Sequence, residues 1–256
     1  MVKIVVLVKE VPDTYGERHL NLETGLAERE HADNVLDEIC ERAIEAALKL
    51  KDDGDEVHLL TMAPSSAEKS IRKGLAMGAD EALHIADEKL KGADLTVTAE
   101  VIAKAVEKHG YDLVLAGNLS TDGNGGVLPA MIAEHLGWPS LTQLTELSVD
   151  GKLKGKRATD TEEQELEAEL PAVVSITENF PDPRYPNFKG IMAAKKKPLT
   201  ALTCADLGVD PEDFSHPRLI MTAVAQRPPR EAGTKITDDG TAAAQLADYL
   251  AANSLI

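Results

Sequence analysis

Short, nearly continuous apolar runs recur along the first half of the chain: "KIVVLV" (3–8), "EVHLLTM" (56–62), "EALHI" (81–85) and "DLVLAG" (112–117). Each is bounded by charge, proline or glycine and is too short for a helix, so each predicts a strand buried on both faces. Between the first two, "NVLDEICERAIEAALKLK" places Val35, Leu36, Ile39, Cys40, Ala43, Ile44, Ala47 and Leu48 on one stripe. This predicts a helix entered at Asn34 or Asp33, with Gly54 just past its end and Cys40 as core packing. "SSAEKSIRKGLAMG" and "TVTAEVIAKAVEKHG" repeat the scheme, with Gly78 and Gly110 as stops. Such alternation implies an α/β fold: a doubly wound, mostly parallel sheet with right-handed crossovers. Ligands bind beyond the carboxyl ends of such strands, which points to the loops after Val8, Met62 and Ala116.

After Leu136 the pattern resembles antiparallel strands, and Asp150-Gly151 is a hairpin signal. "PRYPNFKGIMAAKKKP" (183–198) then sets an apolar Phe188 in a proline-framed segment ending in Lys195, Lys196 and Lys197. It reads either as a surface turn with the aromatic tucked inward or as a docking loop, with Gly190 giving the backbone freedom. From His216 to Gly240 the chain is rich in Pro, Arg and Gly, and a helical pattern closes it. An extended arm embracing a partner subunit is preferred to a flexible tail, which would leave Leu246, Tyr249, Leu250, Leu255 and Ile256 exposed. The domain expectation is therefore 1–210 for the α/β body and 211–256 for the arm.

Composition narrows the classes. An apolar fraction of 43% supports a globular core, while 3% aromatics makes that core mostly Ala, Val, Ile and Leu. A net charge of −17 argues against nucleic acid as the main partner. Cys40 and Cys204, with no secretory or membrane-spanning run, point to free thiols in a cytoplasmic setting and to no membrane insertion. Two cysteines cannot hold a four-cysteine cluster, and the scattered histidines suggest no metal site.

The third ligand loop carries the most chemistry. "LVLAGNLSTDGNGGVLPAMIAEHLGWP" is a strand, a polar glycine-rich turn and a helix beginning near Val127. Ser120, Thr121 and Asp122 offer short polar groups. Gly123, Gly125 and Gly126 permit close approach of an anion to backbone amides, at the positive end of a helix. A tight connection without a ligand is the alternative. No P-loop and no G-x-G-x-x-G follows the first strand, and Ser120, Asp122 and His135 do not assemble a nucleophile and base. A nucleotide holder without machinery to cut it is expected, not an enzyme.

The segments "VLVKEVPD", "NVLDEICERAIEAALKLK", "IRKGLAMGAD", "AGNLSTDGNGG", "AEHLGWP", "LPAVVSI" and "PRYPNFKGIMAAKKKP" occur in the order found in the beta subunit of electron transfer flavoprotein, which the chain resembles over about 1–210. The resemblance implies an adenine-nucleotide hydrolase-like, Rossmann-like fold and a heterodimer with an alpha subunit that holds the redox FAD. The dimer would carry electrons from flavin-linked dehydrogenases, such as those of fatty-acid oxidation, to a quinone reductase or another acceptor. AMP as a structural ligand would be enclosed by Leu7, Val8, Lys9, Asn34, Val35, Leu36 and Met62, with the phosphate on Ser120, Asp122, Gly123, Gly125, Gly126, Val127 and Leu128. Many relatives have an acidic run and then Asn-Gln-Thr where this chain has Gly123 to Leu128, so backbone amides replace side-chain contacts, and a second FAD, as in electron-bifurcating members, competes with AMP. Tyr15 is offset by one place from the family's aromatic near the flavin, where Thr14 stands. The 183–198 segment becomes a recognition loop, docking through Phe188 where leucine is usual, with Ile191, Met192 and Lys195 to Lys197 around it. A stand-alone stress-type nucleotide-binding domain would lack this loop and the arm, and an ATP-using relative would need a pyrophosphate loop that "KEVPDTYG" does not supply.

Overall fold

The computed structural model describes residues 1–30, 32–216 and 218–256. Pro217, in the Pro-rich run, lies outside the described residues. β1 (Lys3–Leu7) is followed by a short antiparallel pair, β2 (Glu10–Pro12) and β3 (Asn34–Leu36). This corrects the expected helix start. Asn34 to Leu36 are taken up by ladder bonds to Glu10–Pro12, and α1 (Glu38–Leu50) begins only where the buried Asp37 carboxylate accepts the Ile39 amide at 2.9 Å. Then come β4 (Glu56–Met62), α2 (Glu68–Met77), β5 (Glu81–Ile85), α3 (Leu95–His109), β6 (Leu113–Gly117) and α4 (Leu128–Leu136). Gly78 (φ 143°) and Gly110 (φ 64°) end α2 and α3 in conformations that a side chain would oppose, as the pattern predicts.

The C-terminal half departs from a simple antiparallel run. β7 (Ser140–Leu144) is parallel in the main sheet, and β8 (Glu146–Asp150), β9 (Lys152–Ala158) and β10 (Glu163–Ala168) form a separate antiparallel sheet turning at Gly151. β11 (Ala172–Ile176), buried throughout, inserts between β6 and β7. After α5 (Phe188–Ala194), β12 (Leu199–Leu202) adds to the far edge, followed by α6 (Cys204–Leu207). The main sheet has seven strands in the order β12-β5-β4-β1-β6-β11-β7, every neighbouring pair parallel. Strand order reverses at β1, between β4 and β6. On β1, Ile4 and Val6 pack in the core under α1 and α2, while Val5 and Leu7 pack in the core under α3 and α4.

The compact unit runs to Thr222, past Asp210, because Arg218 (7% exposed) pairs with Glu100 at 2.8 Å and the Leu219 amide donates to Asp94. Ala223–Ile256 is a separate unit whose helix, α7 (Ala242–Ala252), has no buried residue.

At the amino-terminal end of the sheet, His58 is buried with Nδ1 3.0 Å from both the Tyr111 hydroxyl and Glu81, and with Nε2 3.3 Å from Glu56. Lys3 lies over the Tyr111 ring, and His109 stacks on that ring from another side. Burial, only partly opposed by Glu81, together with the charge of Lys3 holds His58 below the usual imidazole range, and burial, Lys3 and Lys108 do the same to His109. The native state therefore prefers both rings neutral, whereas the unfolded chain protonates them near pH ~6.5. Their contribution to stability is full above that pH and declines as pH falls below it. The urea midpoint should fall from about pH 7 to about pH 5, and a His58→Gln/His109→Gln variant should show a flatter profile over this window. Parallel profiles for the two proteins would refute the assignment.

Candidate functional site

Strand order reverses at β1, and the glycine-rich loop lies at the carboxyl ends of β1 and β6, where folds of this kind bind ligands. The loop is pinned from below by Asp37. Its free carboxylate oxygen accepts the Thr121 amide at 2.8 Å and the Thr121 hydroxyl at 2.9 Å, while the other caps α1. Gly117 is required beneath it, since a Cβ there would lie 2.8 Å from Ile39 Cγ2 of α1. From just past the end of β1, Lys9 Nζ donates to Asp122 at 2.7 Å and to Ser120 at 3.2 Å. From the loop before β3, Arg29 donates to the second Asp122 oxygen at 2.6 Å and to the Glu10 carbonyl at 3.1 Å. Arg18 links the Thr121 and Pro12 carbonyls.

Asp122 is thus a hub between two cations, only 9% exposed. Burial alone would raise its carboxyl, but the hydrogen bond and charge of Lys9, then the bonds from Arg29 and Ser120, hold it far below the usual carboxylate range. Its oxygens also accept the Gly123 amide at 2.7 Å. Beyond this hub the loop opens. Gly126 has φ 67°, nothing crowds Gly125 or Gly126 closer than 3.6 Å, and α4 begins without a side-chain cap. Its first amides and the loop amides can therefore receive an anion.

The residues singled out in the sequence divide into three groups. Lys9, Ser120, Asp122 and Gly123 come together as a bonded cluster, beside Gly125, Gly126, Val127 and Leu128 at the mouth of α4. Leu7, Val8 and Leu36 are core residues beneath it, and Val35 and Met62 are half-buried at strand ends. Asn34 donates to the Arg29 carbonyl at 2.9 Å and leaves its buried Oδ1 without a partner. Asn118, which the pattern did not single out, does the same: it is 6% exposed, donates to Gln143 at 2.9 Å and has an unpartnered Oδ1. Arg18, Arg29 and Asn118 carry no periodic signal, whereas Asp37, directly before an acidic first helical turn, does. His135 lies exposed on α4, on the helix surface.

The second candidate surface is the crossover 177–198. To pass from β11 to β12 it spans the faces of α1 and α2. Arg42 donates to the Phe180 carbonyl and pairs with Asp182 at 2.8 Å. Glu45, 7% exposed, receives Arg184 through both carboxylate oxygens, at 2.6 and 3.2 Å. The expected open loop is instead a strap carrying the short helix α5. Gly190 does not supply freedom there: a Cβ would sit 2.5 Å from the Ala76 carbonyl, so its missing side chain lets α5 touch α2. Arg72 holds the Ala194 and Lys197 carbonyls at 2.9 and 2.8 Å. Lys197 is turned inward and donates to the Leu75 and Ala79 carbonyls at the end of α2. Lys195 and Lys196 stay exposed, as do Ile191 and Met192, and Phe188 is 79% exposed, which rules out the inward-tucked aromatic.

A model of the electron transfer flavoprotein domain matches residues 25–207. The electron transfer flavoprotein subunit beta of Mycobacterium tuberculosis (strain ATCC 25618 / H37Rv) is 47% identical, with all of both chains covered. That of Bacillus subtilis is 34% identical over 90% of each chain, and the caffeyl-CoA reductase-Etf complex subunit CarD of Acetobacterium woodii is 36% identical over 82% of this chain and 81% of its own. The chain belongs to the beta-subunit family of electron transfer flavoproteins.

In this beta subunit the Asp122 carboxylate is locked between the Lys9 and Arg29 cations. Asp122→Asn would leave Lys9 and Arg29 facing one another with a weaker acceptor. A loss of about 2 kcal/mol of unfolding free energy is expected, with smaller effect at high salt. Unchanged urea midpoints at low salt would show that the hub is dispensable.

Proposed function

We propose that this electron-carrier subunit pairs with an alpha subunit holding the redox FAD, binds AMP structurally at the switch point, and docks flavin-linked dehydrogenases through Phe188. Acyl-CoA dehydrogenases are the donor class proposed, a quinone reductase the acceptor, and the cytoplasm the setting. The observation that carries the docking reading is Phe188, 79% exposed on a strap fastened by partly buried Arg–Glu and Arg–carbonyl bonds. A large apolar side chain presented rigidly to solvent has no folding rationale and is the form an interface anchor takes. FAD on the alpha subunit supplies the one- and two-electron chemistry. This chain's part is to position: the exposed apolar positions of α7, such as Leu246 and Tyr249, suit an arm laid along the alpha subunit.

AMP fits the residues present. Two buried acceptors, Asn34 Oδ1 and Asn118 Oδ1, lack donors that an adenine amine or ribose hydroxyls can supply, and the uncapped start of α4 with Gly125 and Gly126 suits a phosphate. The open space around those glycines also favours a second reading, FAD in place of AMP. No helix among the described residues is long and apolar enough to cross a membrane.

Denaturing the purified heterodimer and counting the released nucleotides should give one FAD and one AMP. Two FAD per dimer would favour the second reading, and FAD alone would remove the nucleotide from this chain. Gly126→Val must leave the left-handed region and is expected to lower AMP retention without loss of the alpha-bound flavin. Full AMP content in that variant would displace the phosphate from this loop.

Phe188→Ala should leave thermal stability and flavin content unchanged, because the side chain packs against nothing that folding depends on. Its affinity for the dehydrogenase should fall by roughly 2 kcal/mol, about 30-fold. Normal dehydrogenase-linked flavin reduction, against a dithionite control, would refute the anchor.

A further inference from the structure

We infer that the cleft between α2 and α5 is a second docking element beside Phe188, shaped for an acidic amphipathic helix of the electron-donating dehydrogenase. The inference rests on the proposed docking of the dehydrogenase at the strap. The cleft has a volume of about 630 Å³, with Ala76, Ile191 and Ala194 among its lining and Lys69, Lys73 and Lys195 bordering it. The aliphatic stems of those lysines extend the apolar surface while their ammonium groups stand at its edge.

The charges around the cleft define the occupant. Glu68 is engaged by Arg72 at 3.2 Å, and Glu41 by Lys73. The ammonium groups of Lys69, Lys189, Lys195 and Lys196 have no ionic or hydrogen-bonded partner among the described residues. A basic face on a chain of net charge −17 is a local reversal of sign. It attracts a segment with an apolar ridge flanked by carboxylates, and a groove between two helices receives such a ridge from a third. An extended polyanion, such as a membrane surface or nucleic acid, would reach past the basic patch and come within a Debye length, roughly 8 Å, of the acidic remainder of the chain, which repels it. The cleft is also preformed: the Gly190–Ala76 approach and the Arg72 and Lys197 bonds fix α5 on α2 before any partner arrives.

The test uses the full chain assembled with its alpha subunit and flavin, and purified acyl-CoA dehydrogenase from the same organism as electron donor. Flavin reduction is followed from low to high NaCl. For Lys69→Glu/Lys195→Glu, kcat/KM should fall about tenfold at low salt, with a flattened salt dependence, since steering by complementary charge is what is removed. Phe188→Ala should lose rate at every salt concentration with the slope retained. A double reversal that tracks wild type while Phe188→Ala is impaired overturns the cleft and leaves the anchor standing. A normal Phe188→Ala overturns the docking reading itself. Should the double reversal fail to assemble, Lys69→Gln/Lys195→Gln replaces it, with the same flattening expected. A photo-crosslinking residue at position 69 then identifies the occupant. An adduct with an Asp- or Glu-bearing helix of the dehydrogenase supports the inference, whereas an adduct with the alpha subunit, residues 223–256 or a second copy overturns it.

Discussion

β1 is the strand on which the rest of the molecule is registered. It pairs on one edge with β4 and on the other with β6, and its alternate side chains enter two different cores. Every position from Ile4 to Val8 is therefore buried, which is why the run is almost purely β-branched. Because the crossovers leave from its two edges to opposite faces of the sheet, neither covers the end of β1. The chain there changes abruptly from apolar to charged at Lys9, and that one ammonium group draws in the β6 loop through Asp122. Asp122 in turn holds Arg29, and with it the segment before β3. The strand reversal thus leaves the end of β1 uncovered by either crossover, and the charge hub fixes the segments that gather there.

That dependence also separates what the amino-acid pattern reveals from what it hides. The first four parallel strands, the glycine stops of α2 and α3 and the glycine loop were legible because each is written in local periodicity or in a local backbone demand. The helix start at Asn34 was misread because its stripe runs without interruption from Val35 to Leu48. Only the pairing of β3 with β2, a contact between separated segments, shows that the first three residues are extended. β7 was read as antiparallel for a similar reason: five residues beside a hairpin carry no information about the strand that inserts next to them, and β11 begins 32 residues after β7 begins (172 against 140). Arg29, Asn118 and Asp37 belong to the candidate site only through such distant contacts. The pattern raised Asn34 only as a candidate helix cap and left Phe188 between a tucked aromatic and a docking residue; the resemblance gave Asn34 a ligand role and settled on docking for Phe188.

Gly190 illustrates how a glycine can be misjudged in the opposite direction. In a proline-framed segment it reads as a hinge, yet its backbone lies in a helix, and what matters is the absence of a Cβ against the Ala76 carbonyl. The proline-rich approach to α5 is likewise fastened rather than loose. Arg184 gives Glu45 a bidentate partner; burial alone would raise that carboxyl, and the bonds from Arg184 instead hold it below its usual range. The carboxylates that organise the surface features, Asp122 and Glu45, work in the same way: each is a largely shielded anion whose arginine partner ties a remote segment in place, to the glycine-rich loop at Asp122 and to α1 at Glu45.

The strap's rigidity bears directly on how a carrier should bind. A carrier must meet its donor often and leave quickly, so its interface has to be small, and a small interface has little surplus free energy with which to order a loop on contact. If Phe188 sat on a mobile segment, the conformational entropy lost on docking would consume much of what one buried aromatic contributes. Here that ordering cost falls on folding, through Gly190 against Ala76, Arg72 on the Ala194 and Lys197 carbonyls, and Lys197 on the end of α2. If Phe188 is the anchor proposed above, the aromatic would be free to contribute nearly all of its burial to the encounter. On the proposed reading, the strap on the α1–α2 face and the glycine-rich loop at the strand ends would let donor recognition and nucleotide retention be tuned by different residues.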